Sequence, residues 1–309
     1  MITEEGIMME NYRIRTDLAL ETTERFKEEQ VEIRGVVIQE KYDKERDIKT
    51  TVVKIETENG AKAMGRPQGT YITLEAPNLS VPDEDYHREI SREIAHHLRS
   101  LLDLSRELSV LVVGLGNQEI TADSLGPQVV SHLKMTRHII REYGVYNMGG
   151  EKMHRTSGIV PGVMAQTGME TLEIIQGVVS ETNPDVVIAI DALAARSTRR
   201  LARTIQITDT GITPGSGVGN HREGINEENL QVKVIGIGVP TVVDAATIVH
   251  DSMAHLLEVL DETEQKEFLE EMISPHLHSL FVTPKDVDET VRRMSFTLSE
   301  GLNIAFEKV

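Results

Sequence analysis

Three short runs constrain this chain more than anything else in it: SVLVVGLGN from Ser109, DVVIAID from Asp185 and VKVIGIG from Val232. Each is apolar without alternation, the pattern of a strand buried on both faces, and such strands belong to parallel sheets covered by helices. The text between and after them predicts helices at about 124–141, 170–179, 244–259, 263–272 and 287–306. The expected fold class is α/β, an open and mainly parallel (mixed) sheet flanked by helices. A chain of 309 residues can close such a sheet around one large core.

The N-terminal third is written differently. Over residues 31–74 β-branched and charged residues alternate (VEIRGVVIQEKYD, KTTVVKIETENG, GTYITLEAP), which predicts a small antiparallel meander with polar turns at 43–47 and at Asn59-Gly60. Pro82-Asp83-Glu84 then opens a helix predicted to reach about Leu102, its acidic first turn meeting the positive end of the helix dipole. Long loops rich in Gly and small residues are expected at 149–168 and 208–223, and loops of that length in a compact domain are usually functional.

A formal net charge of -18 repels phosphate backbones and anionic headgroups, so direct nucleic-acid binding and membrane binding are not expected. The absence of Cys excludes thiol catalysis, disulfides and thiolate zinc sites, and fits a cytoplasmic compartment. The first eleven residues are acidic and carry no signal-type apolar run, and no apolar stretch of about 18 residues occurs elsewhere.

In open α/β sheets ligands bind beyond the carboxyl ends of the strands. Two core strands lead to a carboxylate there: the first through Gly114-Leu115-Gly116-Asn117 to Asp123, at the start of the next helix, and the second to Asp191 at its tip. Two carboxylates in a partly desolvated crevice share a proton, so that one can take a proton from water while the other polarises a scissile carbonyl. Asp123 could equally be a helix N-cap, and Arg196 could be a structural partner for Asp191. Asp209-Thr210-Gly211 has the D-T-G signature of all-β aspartic proteases, but it occurs once and in an α/β chain, so a local turn is the better reading. The run 214–220, with Gly215 and Gly217, could wall a substrate site or cradle an anion, yet it lacks the Lys-Ser/Thr of a P-loop. The eleven His include no HExxH, and no metal ligand set stands at convincing spacing.

Several long strings carry a resemblance: RTDLA at 15–19, the GLGN to DSLGP block, GVMAQTGMET at 162–171, DALAAR at 191–196, DTGITPGSGVGN at 209–220 and GVPTVVDA at 238–245. In these the chain resembles the germination proteases of spore-forming bacteria. The resemblance implies an aspartic-type endopeptidase, with Asp123 and Asp191 catalytic and no cofactor, that degrades small acid-soluble spore proteins in the spore core. It also implies an inactive, self-processed precursor and a homotetramer. The family cuts after an acidic residue, before a large apolar residue followed by Ala, and Asp17-Leu18-Ala19 fits that rule. The expected organisation is thus a propeptide at 1–17 and a single protease domain at 18–309, with the antiparallel sub-region at about 30–76.

An acid-selecting pocket needs a fixed cation, for which Arg155, Arg196 and Arg222 are candidates. More distantly, the layout is similar to the hydrogenase maturation endopeptidases, whose matching acids sit at a metal-recognition site, so Asp123 and Asp191 could hold a divalent cation instead. From another class, a phosphate-binding protein using the Gly-rich loop is the remaining alternative.

Overall fold

The computed structural model describes residues 17–28, 33–144, 153–215, 222–249, 252, 277 and 280–307. The predicted helix at 263–272, most of that at 244–259, Gly217 and residues 1–16 lie outside the described residues.

The apolar runs become strands of one mixed sheet. Its strands are β1 (Val36–Asp43), β2 (Ile48–Ile55), β3 (Gly69–Glu75), β4 (Ser109–Gly114), β5 (Arg155–Ile159), β6 (Val186–Ala195), β7 (Thr204–Thr208), β8 (Lys233–Asp244) and the short β9 (Phe281–Val282). The order is β1-β2-β3-β7-β8-β6-β4-β5, with β9 paired to β8. Strands β5, β4, β6 and β8 are mutually parallel, while β1, β2, β3, β7 and β8 pair antiparallel in succession. The meander is therefore no separate layer: β7, a strand that the sequence reading passes over, fuses it to the parallel half.

Strands β4, β6 and β8 are apolar on both sides because both sides are covered. Val110 and Val112 of β4 and Ile188 and Ile190 of β6 join one core with Ile94 and Leu98 of the helix Glu84–Leu101 and Leu298 and Leu302 of the helix Val287–Phe306. Leu111, Val113, Val187 and Ala189 face the other way, onto Leu172 and Ile175 of the helix Thr171–Thr182. Asp83 caps the first of these helices, its carboxylate accepting the Tyr86 N–H at 3.1 Å.

Local readings fail where tertiary packing overrides them. Asn59-Gly60 stands inside the short helix Glu58–Met64, capped by the Thr57 side chain, instead of in a turn. The helix predicted at 124–141 is two, Leu125–Ser131 and Arg137–Tyr143. The loop expected at 149–168 contains β5 and the helical turn Met164–Thr167.

Candidate active site

β6 continues past the length its sequence suggests, so Asp191 lies within the strand and not at its tip. Its side chain is 5% exposed, and its Oδ1 accepts the Ala192 N–H at 2.9 Å. Burial drives the Asp191 pKa well above the ordinary carboxylate range; the charges of Asp123 and Asp17 push the same way, against the Ala192 hydrogen bond.

Asp123 ends a 3-10 turn, Thr121–Asp123, ahead of the helix Leu125–Ser131. It does not cap that helix. Its Oδ2 accepts the Asn117 N–H at 2.7 Å, which folds the GLGN loop back on the turn. Burial raises the Asp123 pKa, with that hydrogen bond opposing.

Glycine makes the approach of these elements possible. A Cβ on Gly126 would stand 2.5 Å from the carbonyl oxygens of both Ile190 and Leu115. The helix after Asp123 therefore packs backbone to backbone against β6 one residue before Asp191, a closeness no side chain allows. Leu115 N–H donates to Ile190 at 2.8 Å, and Thr241 Oγ1 donates to the Ala122 carbonyl at 2.6 Å, tying β4, β6 and β8 to the turn.

The two acids line one cavity of about 350 Å³, together with Asp17, Arg222, Glu170 and Gly215. Arg222 pairs there with Glu170 at 3.2 Å. Arg155 stands at the amino end of β5, the other end of the parallel strands from the cavity, and pairs with Glu107 at 3.0 Å. Arg196 is not among the residues lining the cavity; its backbone N–H donates to buried Glu21. Asp209 does not bond its own backbone but accepts the Thr70 N–H at 2.7 Å, pinning β7 to β3. Among the described residues no group of three or more His, Cys, Asp or Glu side chains is placed to hold a metal ion. Nor is any described helix long and apolar enough to cross a membrane.

The segment at 17–24 begins at this cavity, which Asp17 lines. Asp17 N–H donates to the Ala194 carbonyl at 3.1 Å, and Ala194 N–H donates to Asp17 Oδ2 at 2.9 Å. Leu18 is fully buried with Leu193, Ala195 and Val243. Glu21 accepts the N–H groups of Arg196 and Ser197 and pairs with Arg200 at 3.3 Å, anchoring the helix Ala19–Glu28. A second, smaller cavity of about 110 Å³ adjoins Asp17 and is lined by Arg66, Tyr71 and Gln206. Arg66 lies over the Tyr71 ring, 6.0 Å from its centre. Neither Arg66 nor Gln206 stood out in the sequence, although a lone Gln inside the apolar strand TIQIT is a polar group that must find partners.

A family model described as Germination protease matches residues 14–260 and 253–309, which defines the chain as a peptidase. Germination proteases of Caldanaerobacter subterraneus subsp. tengcongensis, Clostridium perfringens and Bacillus subtilis are 47%, 43% and 38% identical to it. The alignments cover 95%, 96% and 96% of this chain and 94%, 96% and 95% of those proteins. The chain belongs to the germination protease family. Among solved structures, a [NiFe] hydrogenase maturation protease, HycI from Thermococcus kodakarensis KOD1, matches with a TM-score of 0.33 and 16% identity, covering 64% of this chain and 95% of that one.

Proposed function

We propose that this chain is the precursor of an endopeptidase that cuts itself between Asp17 and Leu18 and then begins the breakdown of small acid-soluble spore proteins in the germinating spore core. One observation carries the reading: the residue before the candidate bond lines the same cavity as both acids. Asp17 lines the cavity that holds Asp123 and Asp191, its charge bears on Asp191, and Leu18 fills an apolar niche beyond it. Ala19, the next residue, is fully buried as well.

The proton is assigned to Asp191, which is the more deeply buried and whose pKa is driven well above the ordinary carboxylate range, and the role of base to Asp123, whose pKa burial raises. Water attacks the carbonyl carbon of residue 17 while Asp123 takes one of its protons and Asp191 protonates the carbonyl oxygen. On collapse of the resulting gem-diol, Asp123 gives its proton to the Leu18 nitrogen as the C–N bond breaks, and Asp191 recovers a proton from the diol. Both acids return to their starting states. Residues 1–17 leave as the propeptide, and the working particle is a homotetramer.

Selection of an acidic residue falls to a cation near Asp17, either Arg222 in the larger cavity or Arg66 in the smaller one. Arg222→Ala and Arg66→Ala separate them: loss at the selecting residue abolishes the preference for Glu over Gln before the cut, and a preference kept in both removes this assignment.

The decisive test is incubation of the Asp123→Asn and Asp191→Asn precursors, followed by mass spectrometry of the product. Wild type is expected to lose residues 1–17 and each variant to keep them. Full self-processing in both variants removes the mechanism.

A further inference from the structure

We propose that Gln206 grips the peptide main chain on both sides of the cut, donating from Nε2 to the carbonyl oxygen of the residue before it and accepting at Oε1 the N–H of the second residue after it. This inference rests on the Asp17–Leu18 reading and adds a residue to which that reading assigns no part.

The geometry is already present in the seated segment. Gln206 Nε2 donates to the Asp17 carbonyl at 3.0 Å, and Ala19 N–H donates to Gln206 Oε1 at 2.7 Å. The two ends of the amide cannot be exchanged, because the Ala19 N–H needs an acceptor and the Asp17 carbonyl needs a donor. The bond between Asp17 and Leu18 lies between these two anchor points. Both contacts are to main-chain atoms, so the grip serves any acidic–apolar–Ala sequence.

The clamp is held by a rigid element. Gln206 is the middle residue of β7, where it stands opposite Thr73 of β3 and Gly238 of β8, so its backbone is fixed from both sides. Ile205 and Ile207 point into the main core, and by strand alternation Gln206 points away from it, toward the 17–19 segment. It is 7% exposed.

The two halves of the amide act at different moments. As water adds, the carbonyl oxygen before the cut carries partial negative charge until the Asp191 proton reaches it, and over that interval the bond from Nε2 strengthens, so the donor lowers the barrier. The acceptor half meets an N–H whose charge does not change, so it contributes uniform binding and shows in KM.

Precursor processing is measured for Gln206→Ala and for Gln206→Glu, which keeps the size and an acceptor but removes the donor. Both are expected to slow processing by about 10²–10³-fold, the usual cost of one oxyanion donor. In trans, the processed protein is given the peptide RTDLALET and the same peptide with L-lactate in place of the Ala, so that an ester oxygen replaces the N–H. Wild type is expected to show KM raised by about tenfold or more with kcat little changed, and Gln206→Ala to cut the two peptides alike. Equal KM for both peptides in wild type overturns the clamp without any variant having to fold. An ester penalty that persists in Gln206→Ala overturns it too. Asp191→Asn run alongside separates the two ideas: if it is silent while Gln206→Ala processes normally, the clamp alone fails, and if it processes, the reading beneath the clamp fails.

Discussion

Shortening Leu18, the residue after the proposed cut, to Ala probes the niche that seats it, and the size of the effect follows from the packing. Leu18 is fully buried against Leu193, Ala195 and Val243, with Leu201, Ile212 and Ile248 around them. Replacing it by Ala removes three buried carbons, worth roughly 0.8 kcal/mol each and so about 2.4 kcal/mol together. If the niche keeps its shape, the space left behind raises the cost toward about 5 kcal/mol. A tenfold change in rate corresponds to about 1.36 kcal/mol, so kcat/KM for a peptide in trans is expected to fall by roughly 60-fold at the low end and several thousandfold at the high end. In cis the loss in Leu18→Ala is smaller. Asp17, Glu21 and Gln206 still tether the segment through their bonds to Ala194, Arg196, Ser197 and Ala19, and part of the cost appears as lowered thermal stability. Paired peptides RTDLALET and RTDAALET, with chromatographic measurement of initial rates, provide the assay. Equal kcat/KM for the two, within about threefold, would refute the niche as the seat of the residue after the cut.

Asp191→Asn is expected to melt higher than wild type at neutral pH, because Asn mimics the protonated acid that the buried site prefers. The sign follows from linkage: a carboxyl whose folded-state pKa is raised destabilises the fold above that pKa, and the penalty is relieved as pH falls toward the unfolded value. The melting difference should therefore shrink on acidification, and a difference that grows at low pH contradicts the burial assignment. Gly126→Ala is expected to cost roughly 1–3 kcal/mol, since its methyl would meet the backbone of both Leu115 and Ile190. It should also slow self-processing by about 10²-fold through displacement of Asp123 from Asp191. Unchanged melting together with wild-type processing would show that the close approach has no role.

Much of the frame was legible because the signals were local. The doubly apolar runs of β4, β6 and β8, the helix opened by Pro82-Asp83-Glu84 and the helix Val287–Phe306 follow from patterns within a few residues of themselves. β7 was not, because TIQIT reads as a strand only once β3 and β8 stand on either side of it. Asn59-Gly60, a turn by dipeptide, became helical because Thr57 caps the helix and Met64 finds the niche of Val53, Ile55 and Tyr71.

The same division runs through the site. The sequence placed an acid beyond each of two core strands; Asp123 does follow β4, whereas Asp191 lies inside the longer β6. The path β8-β6-β4, a close contact that only glycine allows at Gly126, and the burial of Asp191 make them neighbours with raised pKa values, and these arise only when segments far apart in the chain are packed together. Seating of the 17–19 segment on Gln206 and Ala194 is of that kind too: its partners lie 177 to 189 positions along the chain, where no local pattern reaches. The order of residues marked the two acids as candidates, and the third dimension decided which groups meet, because proximity and desolvation belong to the folded chain and not to its text.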